Sequence, residues 1–314
     1  MLMAQRNIQK ARSYSDELLQ KLRGKIASLS LPAGCSVVAV GSLARREASE
    51  QSDIDYFVIS DDTCGSDVNE RIGQAIASMG LRAPSVAGAF AKAVNSTEIL
   101  EKIGGNNESN DDLTRRMLLL LESEWLHGEP EYDSLFSSVI ERYIRDGITQ
   151  HQLARFFLND LIRYYRTICV DFEYKTVSAG KSWGDRNIKL MFSRKLLYFS
   201  GILAAAETAQ LSCASKRSRL AHLLRIPPLN RLEEVCGSDA AMALDAYDKF
   251  LGWMADGDVR ELLRSTNADR ANPQTHSDRF RELKNAAHHF SWCLESLLHR
   301  RYAPTHPINQ AILF

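Results

Sequence analysis

Val37–Ile59 reads VVAVGSLARREASEQSDIDYFVI, and its reading decides the fold. A valine-rich apolar run ends in Gly41 and Ser42, a polar excursion follows, and a second apolar run opens on Asp53 and Asp55. Short β-branched runs bounded by Gly and Ser are strand signals. Strand side chains alternate between faces, so Asp53 and Asp55 project together, with Ile54 and Tyr56 on the other side. Two neighbouring carboxylates repel each other unless a cation sits between them. Hard Mg²⁺ takes one or two carboxylates together with phosphate oxygens. Gly41 lets the backbone approach a ligand closely. The Ser42 hydroxyl and the N–H groups after it can hold a phosphate at a helix start. Phosphate cradle and metal carboxylates on one short connection imply a site for a nucleoside triphosphate.

Outward from this stretch, residues 3–29 repeat apolar positions at helical spacing and break at Pro32, Ala33 and Gly34. The expected order is a strand at 36–40, a helical turn at 43–48, a second strand at 53–60 and a helix at 65–79. A third strand follows at Val86–Val94, which contains no carboxylate, and then a short helix at 95–103. Gly104–Asn110 reads as a loop, and Asp111–His127 as a strongly periodic helix ended by Gly128 and Pro130. Beyond it strand signals vanish. Helical patterns run over 132–146, 149–175, 183–209, 216–225, 238–255, 258–265 and 278–302, with an irregular tail after Pro304 and Pro307. The fold class is α+β: a small mixed-sheet domain over 1–130 followed by an all-helical domain over 131–314.

The chain has 314 residues, 45% of them hydrophobic and 25% charged, which suits a soluble globular protein with a sizeable core. No apolar run approaches the ~20 residues of a membrane span. The N-terminus lacks an apolar signal core, and the six cysteines form no Cys-x-x-Cys pair. These features point to a cytoplasmic protein with reduced thiols and no membrane partner. Formal net charge is zero, with residues 1–150 acidic and 151–225 basic. A triphosphate clamped between the two segments fits that placement, as does a solvated helical surface. No long basic stripe marks a bulk nucleic-acid binder.

The pattern Gly41-Ser42, a spacer of about ten residues, then Asp53-x-Asp55 on an apolar run resembles the polymerase-β-type nucleotidyltransferase superfamily. The finer form, Gly41-Ser42-x-Ala44-Arg45-x-Glu47 followed by Ser52-Asp53-Ile54-Asp55, is similar to the PII-uridylyltransferase-like branch and its bacterial relatives. Downstream, LLLLESEWLHGE at Leu118–Glu129 resembles a helix of that branch. It places Glu122 on the acidic position and Glu124 where the branch has arginine.

The resemblance implies a Mg²⁺-dependent transfer of NMP from an NTP to a hydroxyl acceptor, with two metal ions held by Asp53 and Asp55. A third carboxylate is expected, for which Glu98, Asp111, Asp112 and Glu122 are available and Glu122 fits the motif. Gly41, Ser42 and Arg45 would hold the nucleotide, although Arg45 and Glu47 are also placed to pair and brace the turn. By resemblance of arrangement, Lys189, Arg194 and Lys195 in the helical half would reach the triphosphate, with Ser193 on the face of Lys189 and Arg163 and Arg166 behind. The plainer reading pairs such cations with Asp160, Asp171 and Asp185. The acceptor is a protein, RNA or small molecule, and the branch tilts toward protein. Two alternatives stay open: a nucleotide-binding regulator weak in catalysis, and a cyclic or oligonucleotide synthase.

Overall fold

The computed structural model describes residues 5–60, 66–82, 93–178, 182–267 and 277–313. Helix α1 (Arg6–Ala27) buries Ile8, Leu18, Leu19, Leu22 and Ile26, the stripe its 3.6-residue period requires. Strand β1 (Cys35–Val40) is buried along its whole length and runs into a single helical turn, α2 (Gly41–Ala44). Strand β2 (Tyr56–Ser60) and helix α3 (Ser66–Ser78) follow. Next come the two-residue strand β3 (Val94–Asn95), α4 (Ser96–Glu101) and α5 (Asn110–Leu121). Strand β4 (Ser123–His127) closes the sheet. Most of the third strand expected at 86–94 lies outside the described residues.

The sheet order is β3-β2-β1-β4. β1 is antiparallel to both β2 and β4, and β3 joins β2 in parallel. Side-chain parity then sorts the sheet into two faces. Val37, Ala39, Tyr56 and Val58 pack with α1 and α3, whereas Val38, Val40, Phe57 and Ile59 pack with α5 and the helical half.

The rest of the chain is helical: α6 (Glu129–Tyr143), α7 (Arg155–Val177), α8 (Trp183–Lys189), a π-helical turn (Leu190–Arg194) and α9 (Lys195–Ala206). It continues through α10 (Cys213–Arg225), α11 (Pro228–Cys236), α12 (Ala241–Ala255), α13 (Gly257–Ser265), α14 (Asp278–Arg301) and α15 (Pro307–Leu313). Among the described residues no strand follows His127, which makes the chain α+β. No described helix is long and apolar enough to cross a membrane.

Two expectations are corrected. The helix expected to reach His127 stops at Leu121, and SEWLH becomes an edge strand, because β1 offers an open ladder that outcompetes one more helical turn. Gly128 (φ +68°) makes the reversal that follows, and a Cβ there would stand 2.4 Å from the Cys35 carbonyl oxygen, so only glycine fits. The tail expected to be irregular after Pro304 and Pro307 instead forms α15, which Pro307 opens. Proline in the first turn forfeits no intrahelical hydrogen bond.

Candidate active site

Asp53 and Asp55 precede β2 instead of lying on it, yet the backbone is already held in extended register. The Val40 N–H donates to the Asp55 carbonyl (2.9 Å) and the Ile54 N–H to the Arg82 carbonyl (2.9 Å). Ile54 enters the α1/α3 core, so the aspartates share the parity of Phe57 and Ile59 and point toward the helical half. Gly41 has φ +71°, and a Cβ on it would stand 2.9 Å from Asp55 Oδ2. The left-handed φ favours glycine there, and the missing side chain leaves room for the Asp55 carboxylate against the backbone. Because α2 is one turn long, its macrodipole adds little, and the Ser42 hydroxyl and local N–H groups are what remain for an anion.

Behind the turn lies a chain of buried charges. Arg45 Nε donates to Glu47 Oε2 (2.8 Å), and Arg45 Nη1 donates to Glu122 Oε2. The other oxygen of Glu122 accepts from Arg194 Nη1 (2.7 Å). Burial works against ionising Glu122, but Arg45 and Arg194 overcome it and hold its carboxyl below the usual range. Burial likewise opposes the Arg45 charge, which Glu47 and Glu122 secure. Glu47 itself is pushed up by burial, against the pull of Arg45. Glu124, where the resembled branch carries arginine, pairs with Arg23 (2.6 Å) and Arg46 (2.7 Å).

A cavity of about 290 Å³ opens between the sheet and the helical half. One wall is Gly41, Ser42, Arg45, Glu47, Asp53 and Asp55. The opposite wall carries Lys189, Ser193 and Arg194 from α8 and the π turn. Lys10 and Tyr14 of α1 edge it, and Phe250 and Met254 of α12 with Arg260 of α13 complete it. Helix α1 is fixed there by Asp248 of α12, whose carboxylate accepts from the Ile8 N–H (2.8 Å) and Asn7 Nδ2 (2.9 Å).

Of the residues singled out in the sequence, Gly41, Ser42, Arg45, Asp53, Asp55, Lys189 and Ser193 meet in this cavity. Others do not line it, Glu98, Asp111, Asp112 and Arg166 among them. Glu122 stands behind the wall, saturated by two arginines. Lys195 donates instead to Ser291 Oγ (2.6 Å). Arg163 pairs with Glu108 (2.6 Å) and Asp160 (2.6 Å) beside the buried Arg116. Arg194, named beside Lys195 in the sequence, does line the cavity: the π turn's i→i+5 closure carries a residue five positions on back toward Lys189. Lys189 is itself paired with Asp185 (2.9 Å).

Arg260, Lys10, Tyr14, Phe250 and Met254 line the cavity without having been singled out in the sequence. Only Arg260 left a trace: a charge between Val259 and Leu263 on the buried stripe of α13.

The donor set suits a hard cation. Burial pushes the Asp55 carboxyl up, and Glu122 and Asp53 add to it against Arg194 and Arg45. A divalent ion would relieve that repulsion. Among the described residues no group of three or more His, Cys, Asp or Glu is placed to hold a metal, so the pair would share it with phosphate or water oxygens. No curated protein matches the chain. Residues 19–103, which hold β1, the Gly41–Ser42 turn, both aspartates and α3, match the model of the nucleotidyltransferase domain family, which supports a domain of the polymerase-β type in this part of the chain.

Proposed function

We propose that the protein transfers a nucleoside monophosphate from an NTP to a hydroxyl acceptor in a Mg²⁺-dependent reaction. The observation that carries this is the shared parity of Asp53 and Asp55, aimed with the Gly41–Ser42 turn into a cavity faced by Arg194, Lys189 and Arg260. Asp53 and Asp55 would hold the metal ions, which supply charge neutralisation at the reacting phosphate. Gly41 and Ser42 hold phosphate oxygens by backbone and hydroxyl. The acceptor oxygen forms a bond to the α-phosphorus as the bond to the bridging oxygen breaks. Pyrophosphate leaves, and the acceptor proton passes to solvent.

Glu122 acts here as a positioning residue, holding Arg45 against the turn and Arg194 at the cavity wall. The Arg45–Glu47–Glu122 chain links the residues of both motif stretches and favours the PII-uridylyltransferase-like branch, hence a protein acceptor over RNA. The test is incubation with labelled NTPs, Mg²⁺ and host lysate beside an Asp53→Ala/Asp55→Ala control. Protein labelling above the control is expected, and labelling equal to the control overturns the reading.

Commitment of Glu122 to two arginines leaves Asp53 and Asp55 without the third carboxylate that the resemblance assigned. That favours a second reading, a nucleotide-binding regulator. Tight NTP binding with no turnover would select it, and nucleotide-only products would select an oligonucleotide or cyclic synthase.

A further inference from the structure

Arg260 is the one cavity cation whose state in the fold is hard to explain without a ligand. Its residue is only 9% exposed. Its Nε is buried without a hydrogen-bond partner, and its guanidinium forms no ion pair with another described residue. The other cavity cations contrast with it: Arg45 and Arg194 share Glu122, Lys189 holds Asp185, and Lys10 is exposed to water. A buried guanidinium N–H left without an acceptor is costly. Burial works against the Arg260 charge, as do Arg82 and Arg264, with only Asp185 and Asp53 in its favour. Such a group is kept where something outside the chain completes it.

What completes it must be anionic, rich in acceptors and set beside the aspartates. Arginine's planar fork suits phosphate oxygens, and a polyphosphate supplies several within reach of one anchor. Arg82 and Arg264 act on the Arg260 charge from nearby and add to the positive field around it, which favours an anion there.

We propose that Arg260 anchors the polyphosphate end of the nucleotide, so that this end of the cavity is a subsite that takes inorganic pyrophosphate or tripolyphosphate as ligands in their own right. The inference rests on the nucleotidyltransferase reading above and deepens it. The subsite discriminates ligands by phosphate number: NTPs and pyrophosphate engage Arg260, and a monophosphate does not reach it.

The experiment is calorimetric titration of the full chain with Mg²⁺ plus pyrophosphate, tripolyphosphate, the four NTPs and their monophosphates. It is run on the wild type, Arg260→Gln and Arg260→Lys, with a thermal melt of each free protein. Arg260→Gln is expected to weaken pyrophosphate and NTP binding about tenfold or more, the scale of one lost charge-assisted contact, with monophosphate binding within about twofold. Arg260→Lys should fall between. The free Arg260→Gln protein should melt at or above the wild type, since the buried Nε without an acceptor is removed. Polyphosphate binding unchanged in Arg260→Gln overturns the proposal while leaving the transferase reading standing. A large fall in its melting temperature overturns it too, by showing a structural role. A wild type that binds neither pyrophosphate nor any NTP overturns both.

Discussion

Glu122→Gln separates two roles for the same carboxylate. The Glu122 side chain is fully buried and that of Arg45 is 7% exposed, so this pair is broken inside the protein; Arg194, at 34%, reaches water on its own and counts for less. Removing one member of a buried pair costs about 3–5 kcal/mol, because the other charge stays behind without compensation. The lower end applies, since Arg45 keeps Glu47 and glutamine keeps one acceptor oxygen. A loss of about 3 kcal/mol at about 2–3 °C per kcal/mol lowers the melting temperature by about 6–9 °C. As a positioning residue Glu122 leaves the metal carboxylates intact. Mn²⁺ affinity, read by calorimetry or by the free-ion EPR signal, should therefore change by less than about twofold, a difference small against the ~1.4 kcal/mol of a tenfold effect. Transfer should fall through misplaced Arg45 and Arg194. An unchanged melt combined with lost Mn²⁺ binding would refute the reasoning and return Glu122 to the metal.

Three further outcomes follow from particular contacts. Gly41→Ala puts a Cβ against Asp55 Oδ2 at a left-handed φ; it should cost about 1–2 kcal/mol of stability in urea unfolding and a larger share of transfer, and wild-type transfer would contradict the placement of the turn. Asp55→Asn removes a like charge beside Asp53, so the melt should hold or rise while labelling disappears; a destabilised variant would mean that Asp55 is structural. Asp112 accepts from the Ser109 N–H (2.9 Å) and hydroxyl (2.8 Å) at the start of α5. Burial opposes its ionisation, but the Ser109 bonds win and hold it below the ordinary value. A depressed folded pKa gives stability that is complete above the unfolded value of about 3.9 and lost as pH falls through the folded one. Asp112→Asn should therefore cost about 1 kcal/mol at neutral pH and flatten the acid limb of a pH-stability curve, and an unaltered acid limb would rule out the cap as its source.

The parts of the site that could be read from the sequence are those fixed by local geometry. Alternation along a strand puts Asp53 and Asp55 together whatever the rest of the chain does, and the turn needs glycine for reasons confined to Asp55 next to it. The parts that could not be read depend on distant partners. SEWLH carries no strand alternation strong enough to interrupt the periodicity of Leu118–Leu121, and it extends because β1 is there to pair with it. Arg194 and Lys195 are neighbours that the sequence alone cannot rank, and the π turn decides that Arg194 faces the cavity. Arg260 lies about two hundred residues beyond the aspartates, and nothing in a one-dimensional pattern brings them together.

The parity of the sheet also bears on how the two chemical halves are joined. The boundary expected near residue 130 would part the aspartates from Arg194 and Arg260, yet one apolar core runs from Val38, Val40, Phe57 and Ile59 through Leu118 and Leu121 to Phe157, Leu161 and Leu203. The same alternation that commits Val38 and Val40 to that core aims Asp53 and Asp55 into the gap at its margin. Asp248 capping α1 and Arg12 paired with Glu233 (2.8 Å) tie the first helix to the last third of the chain. The distance from the carboxylates to Arg194 and Arg260 is therefore set by core packing. An interior at crystal-like density resists such displacement far better than a linker would. A cavity walled in this way can keep a buried arginine waiting for its anion, because the protein cannot easily relax to bring another residue to it.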